Sequence, residues 1–167
     1  MSKTSTAERP DTETRATSED SQALRLWLRL LACTNLVEGQ VRSRLRREFD
    51  ITLPRFDLMA QLERVPLGMK MGELSKRMMV TGGNVTGITD QLVAEGLVVR
   101  EDNPKDRRAY IVKLTPDGRK AFKKMADAHA KWIVELFAGM NEKERGQLYG
   151  LLAVLKTHVA GVADKGK

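Results

Sequence analysis

The segment Gly72–Phe122, "GELSKRMMVTGGNVTGITDQLVAEGLVVREDNPKDRRAYIVKLTPDGRKAF", carries the pattern that decides the fold. Met71, Leu74 and Met78 recur in steps of three and four, the period of a short helix with one apolar face. A glycine-rich turn follows, and Val85, Ile88 and Leu92 then form the stripe of a second helix. Gly96 is a well-placed C-terminal stop for it. Two short runs rich in Val and Ile come next, "LVVRE" and "YIVKL", separated by the turn-forming "DNPKDRRA". That spacing predicts a β-hairpin with a basic tip. Thr115 suits an N-cap and Pro116 a first helical turn, so a further helix opens there.

Within this segment, "TGGNVTGITDQL" (Thr81–Leu92) is one residue away from a phosphate-binding loop. Gly82 and Gly87 have the required spacing, but Ile88 stands where the motif needs Lys. The preceding "GELSKRMMV" has a helical pattern, whereas a phosphate loop follows a buried strand. No later segment offers a convincing acidic strand end for magnesium. A nucleotide-binding enzyme is therefore disfavoured, and no cofactor is expected.

Helix, tight turn, helix and basic hairpin in that order make a winged helix-turn-helix. The second helix then faces a major groove, and the hairpin reaches the neighbouring minor groove. Thr81, Gly82 and Gly83 lie in the turn, where free N–H groups approach phosphate. With Val85, Ile88 and Leu92 turned inward, Asn84, Thr86, Gly87 and Asp90 fall on other faces. Asn84 suits adenine and Thr86 a thymine methyl or a phosphate, while Gly87 permits close backbone approach.

Working outward, residues 1–20 contain no Leu, Ile, Val or aromatic residue and predict a disordered, mildly acidic tail. Residues 21–53 form a long helix and its exit. Leu30, Cys33, Val37, Val41, Leu45 and Phe49 make one stripe, which Leu24, Trp27, Leu28 and Leu31 widen. So wide a stripe implies two packing partners, one of them outside the chain. A helix opening at Pro54 ("PRFDLMAQLER") begins the DNA-binding unit, 54–115. Residues 116–167 hold two more helices. Phe122, Met125, His129, Trp132 and Leu136 stripe the first. Asn141 with Glu144 caps the second, in which Leu148, Leu151, Leu155, Val159 and Val162 step in heptad fashion.

Composition agrees. The chain has 167 residues and a net charge of +7, and with the tail at −2 the remaining body carries +9. A basic body suits double-stranded DNA. Neither a signal peptide nor an apolar run of membrane-spanning length is evident, so a cytoplasmic location is expected. One cysteine and two histidines do not make a zinc site.

The "L-x-x-x-G-L-V-x-R" joining helix to hairpin, the "DRR" at its tip and the "LTPDG" after it strongly resemble the core of MarR-type transcriptional regulators. The resemblance implies a mainly α fold with a small β-hairpin wing, flanked by N- and C-terminal dimerisation helices. It implies a homodimer on a pseudo-palindromic operator, acting as a repressor released by a small effector. Arg107 becomes the minor-groove arginine, Asp106 and Arg108 the ion pair that shapes the wing, and Lys105 and Arg77 phosphate contacts. Gly87 departs from the many relatives that carry Arg there. The resemblance also implies an effector pocket between the first helices and the winged unit. Trp27, Phe56 and Met59 are candidates for its apolar wall, with Arg42 or Arg46 holding an anion such as an aromatic acid or aroyl-CoA thioester. Each apolar residue taken alone is better explained as ordinary core. Cys33 is an alternative trigger, since some relatives sense peroxide through a cysteine on the first helix. A thiol on an apolar stripe is more often inert packing.

Overall fold

The computed structural model describes residues 22–78, 84–103 and 106–165, with the side chains of 106–109 and 163–165 left aside. Among the described residues six helices and three strands follow in chain order. They are α1 (Gln22–Phe49), α2 (Leu53–Glu63), β1 (Met69–Lys70), α3 (Met71–Arg77), α4 (Val85–Ala94), β2 (Val98–Asn103), β3 (Asp106–Leu114), α5 (Pro116–Leu136) and α6 (Glu142–Lys165). This is a mainly helical winged helix-turn-helix. The predicted tail (residues 1–20) lies outside the described residues.

The hairpin is longer than its hydrophobic runs, because Asp102 and Asn103 extend β2 and residues 106–109 extend β3 toward the tip. Val98 pairs with Leu114 and Arg100 with Val112, and the register shifts between Asp102 and Asn103. A third strand joins the two that the sequence pattern predicts. Met69 and Lys70 pair with Val112 and Ile111 on the other edge of β3, giving an antiparallel sheet ordered β1-β3-β2.

One core joins the middle of the chain. Leu45, Leu58, Met59, Leu62, Leu74 and Leu92 are fully buried, and Val98, Val112 and Leu114 bring the base of the sheet against them. Side chains of this size contribute about 1.5–3 kcal/mol each when buried. An aromatic seam joins this core to the long helices. Phe49 meets Trp132 with ring centroids 6.1 Å apart, and Phe56 lies 5.5 Å from Phe122 and 5.1 Å from His129. Burial lowers the pKa of His129 below its ordinary 6.5. Arg44 lies over the Trp132 ring and pairs with Glu135 at 2.6 Å, tying α1 to α5.

The terminal helices are different. Of the long α1 stripe, only Val41 and Leu45 are buried, while Leu24, Trp27 and Leu31 are exposed, as are Leu26 and Leu36 outside it. No described residue of α6 is buried, although Tyr149, Leu151, Val154, Val159 and Val162 are apolar. The expected reciprocal cap does form at its start. Asn141 N–H donates to Glu144 Oε2 at 2.8 Å, and Glu144 N–H donates to Asn141 Oδ1 at 3.0 Å.

Candidate nucleic-acid interface

The second helix of the helix-turn-helix is α4. Ile88 and Leu92 are buried as the stripe requires, and Thr89 is fully buried beside them. Its hydroxyl donates to Val85 O at 2.7 Å, so a polar residue sits on the core face with its hydrogen bond satisfied inside the helix. Periodicity alone passes over such a residue. Thr86 and Asp90 remain exposed, and Gly87 is half-buried.

Asn84 is the N-cap of α4. Its Oδ1 accepts from the Thr86 and Gly87 N–H groups at 3.1 and 3.3 Å. Pairing with adenine through both ends of the amide therefore competes with the cap, because the oxygen is already engaged. The amide nitrogen has no such engagement with the helix. At Gly87 an added Cβ would meet only the Asn84 side chain, at 3.4 Å or more. Among the described residues no close contact requires glycine there.

Asp90 is held by Arg100 on β2 at 2.6 Å, which joins the exposed side of α4 to the wing and neutralises a carboxylate on that side. Arg77, exposed at the end of α3, pairs with Glu73 one turn earlier. That contact is a solvated i,i+4 pair of small energy, readily exchanged for a phosphate. Thr81, Gly82, Gly83 and Lys105 lie outside the described residues. Asp106, Arg107 and Arg108 fall on β3, at the tip-proximal end of the wing, with only their backbone described.

The residues expected to line an effector pocket do not come together within the chain. Met59 is 0% exposed and Phe56 is buried against Phe122 and His129, so both are core. Trp27 is 55% exposed and precedes Phe49 by 22 residues on one helix, roughly 33 Å at about 1.5 Å per residue. Arg42 pairs with Glu38, and Arg46 with Asp50 at 3.5 Å. A cavity of about 480 Å³ lies elsewhere, where the α1–α2 corner, the end of α4 and the start of α5 meet. Phe49, Ile51, Leu97 and Met125 line it, together with Arg55, Lys120 and Lys124 and the carboxylates Asp50, Glu95 and Asp117. Cys33 is exposed on α1, on the side that leaves its apolar residues uncovered. Among the described residues no three His, Cys, Asp or Glu side chains gather to hold a metal.

A capped helix behind a short helix, braced to a basic hairpin, defines a DNA-binding module of the winged helix-turn-helix class. A sequence model of the MarR family matches residues 49–109. A solved MarR family transcriptional regulator from Silicibacter pomeroyi is 32% identical, with a TM-score of 0.73 over 86% of this chain and 99% of that one. A single-residue mutant of MarR from E. coli, solved in complex with operator DNA, is 25% identical, with a TM-score of 0.69 over 80% of this chain and 94% of that one. YkoM, named as an HTH-type transcriptional regulator of Bacillus subtilis, is 35% identical over 89 residues. That match takes in 53% of this chain and 58% of YkoM, so the chain spans little more than half the length of such curated relatives. The chain belongs to the MarR family of transcriptional regulators.

Proposed function

We propose that two copies of this chain form a regulator that binds a pseudo-palindromic stretch of double-stranded DNA, with one α4 in each of two successive major grooves. The observation that carries this reading is the surface of α4. Its inward face is completed by core, whereas Thr86 is exposed and, among the described residues, a Cβ at Gly87 would meet only the Asn84 side chain. Glycine on an outward helix face costs up to about 1 kcal/mol relative to alanine, and close approach of a DNA backbone gives that cost a return. The uncovered apolar sides of α1 and α6 supply the second half of the argument, since a partner copy would bury them. No helix among the described residues is long and apolar enough to cross a membrane, and we place the dimer with the DNA in the cytoplasm.

The test is selection of duplexes from a random pool by the full chain, followed by titration of the enriched duplex across salt concentrations. Enrichment of an inverted repeat with half-sites about 10 base pairs apart supports the reading. Equal binding to all duplexes would reduce the chain to a general nucleic-acid binder. Arg107→Ala is expected to weaken binding and to lower the salt slope by about one for each phosphate it ceases to neutralise.

For a small anionic effector, the geometry favours the cavity at the start of α5 over the arginines of α1. Lys120 and Lys124 stand one turn apart in a cavity whose walls are apolar in part, and they have no ion-pair partner among the described residues although Asp50, Glu95 and Asp117 share the lining. Arg42 and Arg46 are already paired. Lys120→Gln with Lys124→Gln is expected to abolish the melting-temperature shift produced by an aromatic carboxylate. An undiminished shift would place the anion elsewhere.

A further inference from the structure

The C-terminal end of α4 is attached to α5 by an unusually close joint. Gly96, at φ +72°, turns the chain out of the helix, and the Leu97 N–H returns to Leu92 O at 3.0 Å. The Leu97 carbonyl then accepts from the Thr115 N–H at 3.1 Å. The Thr115 hydroxyl works in two directions. It donates to Gly96 O at 2.7 Å and accepts from the Gly118 N–H at 2.9 Å, so one side chain both caps α5 and holds the exit of α4. Gly118 is buried against the same carbonyl. A Cβ there would stand 1.9 Å from Leu97 O and 2.8 Å from Leu97 C. Those are backbone atoms, which cannot swing aside as a side-chain tip does. An alanine at 118 therefore separates the two helices. Arg55 pairs with Glu95 and ties this end of α4 to α2 as well.

We infer that Thr115 and Gly118 are positioning residues for DNA recognition, which lock α4 to α5 as one rigid unit so that the setting of α5 determines where α4 is presented. At its other end, α5 is fixed to α1 by the Phe49–Trp132 contact and the Arg44–Glu135 pair. A line of direct contacts thus runs from the uncovered dimer-forming helix to the recognition helix. A change in how two copies pack is converted at this joint into a change in the spacing of the two α4 helices. This inference rests on the regulatory reading above.

The test measures that spacing without DNA. A spin label is placed at Thr86→Cys in a Cys33→Ser background, and the label-to-label distance is measured across the dimer. Gly118→Ala and Thr115→Val are expected to shift the mean distance by about 2 Å or more, or to broaden its distribution. Thr115→Ser, which keeps both hydroxyl contacts, should reproduce the parent distribution. A role confined to stability would lower the melting temperature and leave the distance alone. The inference is overturned if the folded Gly118→Ala and Thr115→Val dimers keep the parent distribution, or if Thr115→Ser departs as far as Thr115→Val. Should Gly118→Ala fail to fold, the pair at Thr115 decides. In parallel, the duplex enriched by the parent is compared with one whose half-sites are moved apart by one base pair. The joint variants should lose the parent's preference between them, whereas uniform weakening on both counts against the joint. A parent that enriches no duplex overturns the regulatory reading and leaves the distance result standing.

Discussion

The winged lobe and the terminal helices bury their apolar residues by opposite means. In the lobe, leucines from α1, α2, α3 and α4 meet the base of a three-stranded sheet, and the core closes within one chain. In α6 and the first half of α1, residues of the same type lie in the open. The lobe is folded by what it contains, whereas the apolar sides of the terminal helices find little cover among the described residues.

Breaking the second half of that contrast should have the largest effect. Leu151→Asp with Leu155→Asp places carboxylates on the α6 face and is expected to give monomers by sedimentation, with the wing lobe still folded by NMR. Affinity for a two-half-site duplex should then fall by about 100- to 10,000-fold, because the two modules no longer share one molecule. A dimer that survives both changes would mean that α6 is not the contact. Within the lobe, Leu58→Ala should cost about 2–5 kcal/mol in a urea melt, the range for a fully buried leucine. A much smaller loss would show that the lobe core is looser than its burial indicates.

How much of this is legible in the sequence depends on whether the deciding contact is local. The stripe Val85, Ile88, Leu92, the Gly96 stop, the Thr115 cap and the Asn141–Glu144 box all depend on neighbours within one or two turns, and each is where periodicity and capping chemistry place it. β1 escapes such reasoning because two residues have no period, and its pairing lies more than forty residues away. Sequence reasoning gives Asn84 to base reading because a helix start is uncertain by one position, and only the structure shows it capping. Gly118 stands out as part of a motif, but its contact with Leu97 belongs to tertiary packing. The α1 stripe is correct as a pattern. The pattern does not divide the residues between the chain's own core and an outside surface.

The cap at Asn84 gives a finer test of the lobe. Asn84→Ala removes the cap and the amide together, at about 1 kcal/mol of stability, whereas Asn84→Ser keeps a capping oxygen and loses only the amide. If Asn84 reads a base, both variants relax preference at one position per half-site. If it only caps, Asn84→Ser retains the parent's preference and stability. The smallest effect concerns His129, in the aromatic seam between the two regions. Its pKa is lowered in the folded chain by burial, so the unfolded chain takes up the proton first as pH falls. Stability is full above about 6.5, the unfolded value, and declines as pH drops from there toward the lowered folded value. His129→Phe should flatten melting temperature against pH in that window, and an unchanged slope would assign it to other groups.

The short β1 strand has a bearing on how the chain reaches its fold. The hairpin of β2 and β3 closes locally, but Met69 must find Val112 across the whole helix-turn-helix. Such distant pairing carries the larger loop-closure entropy and belongs late in folding. It engages β3 only at Ile111 and Val112, near its base. The pairing that closes the sheet thus leaves the far end of the hairpin alone, and a designer could lengthen β2 and β3 beyond Asp102 and Tyr110 while Met69 and Val112 stay in register in the lobe beneath.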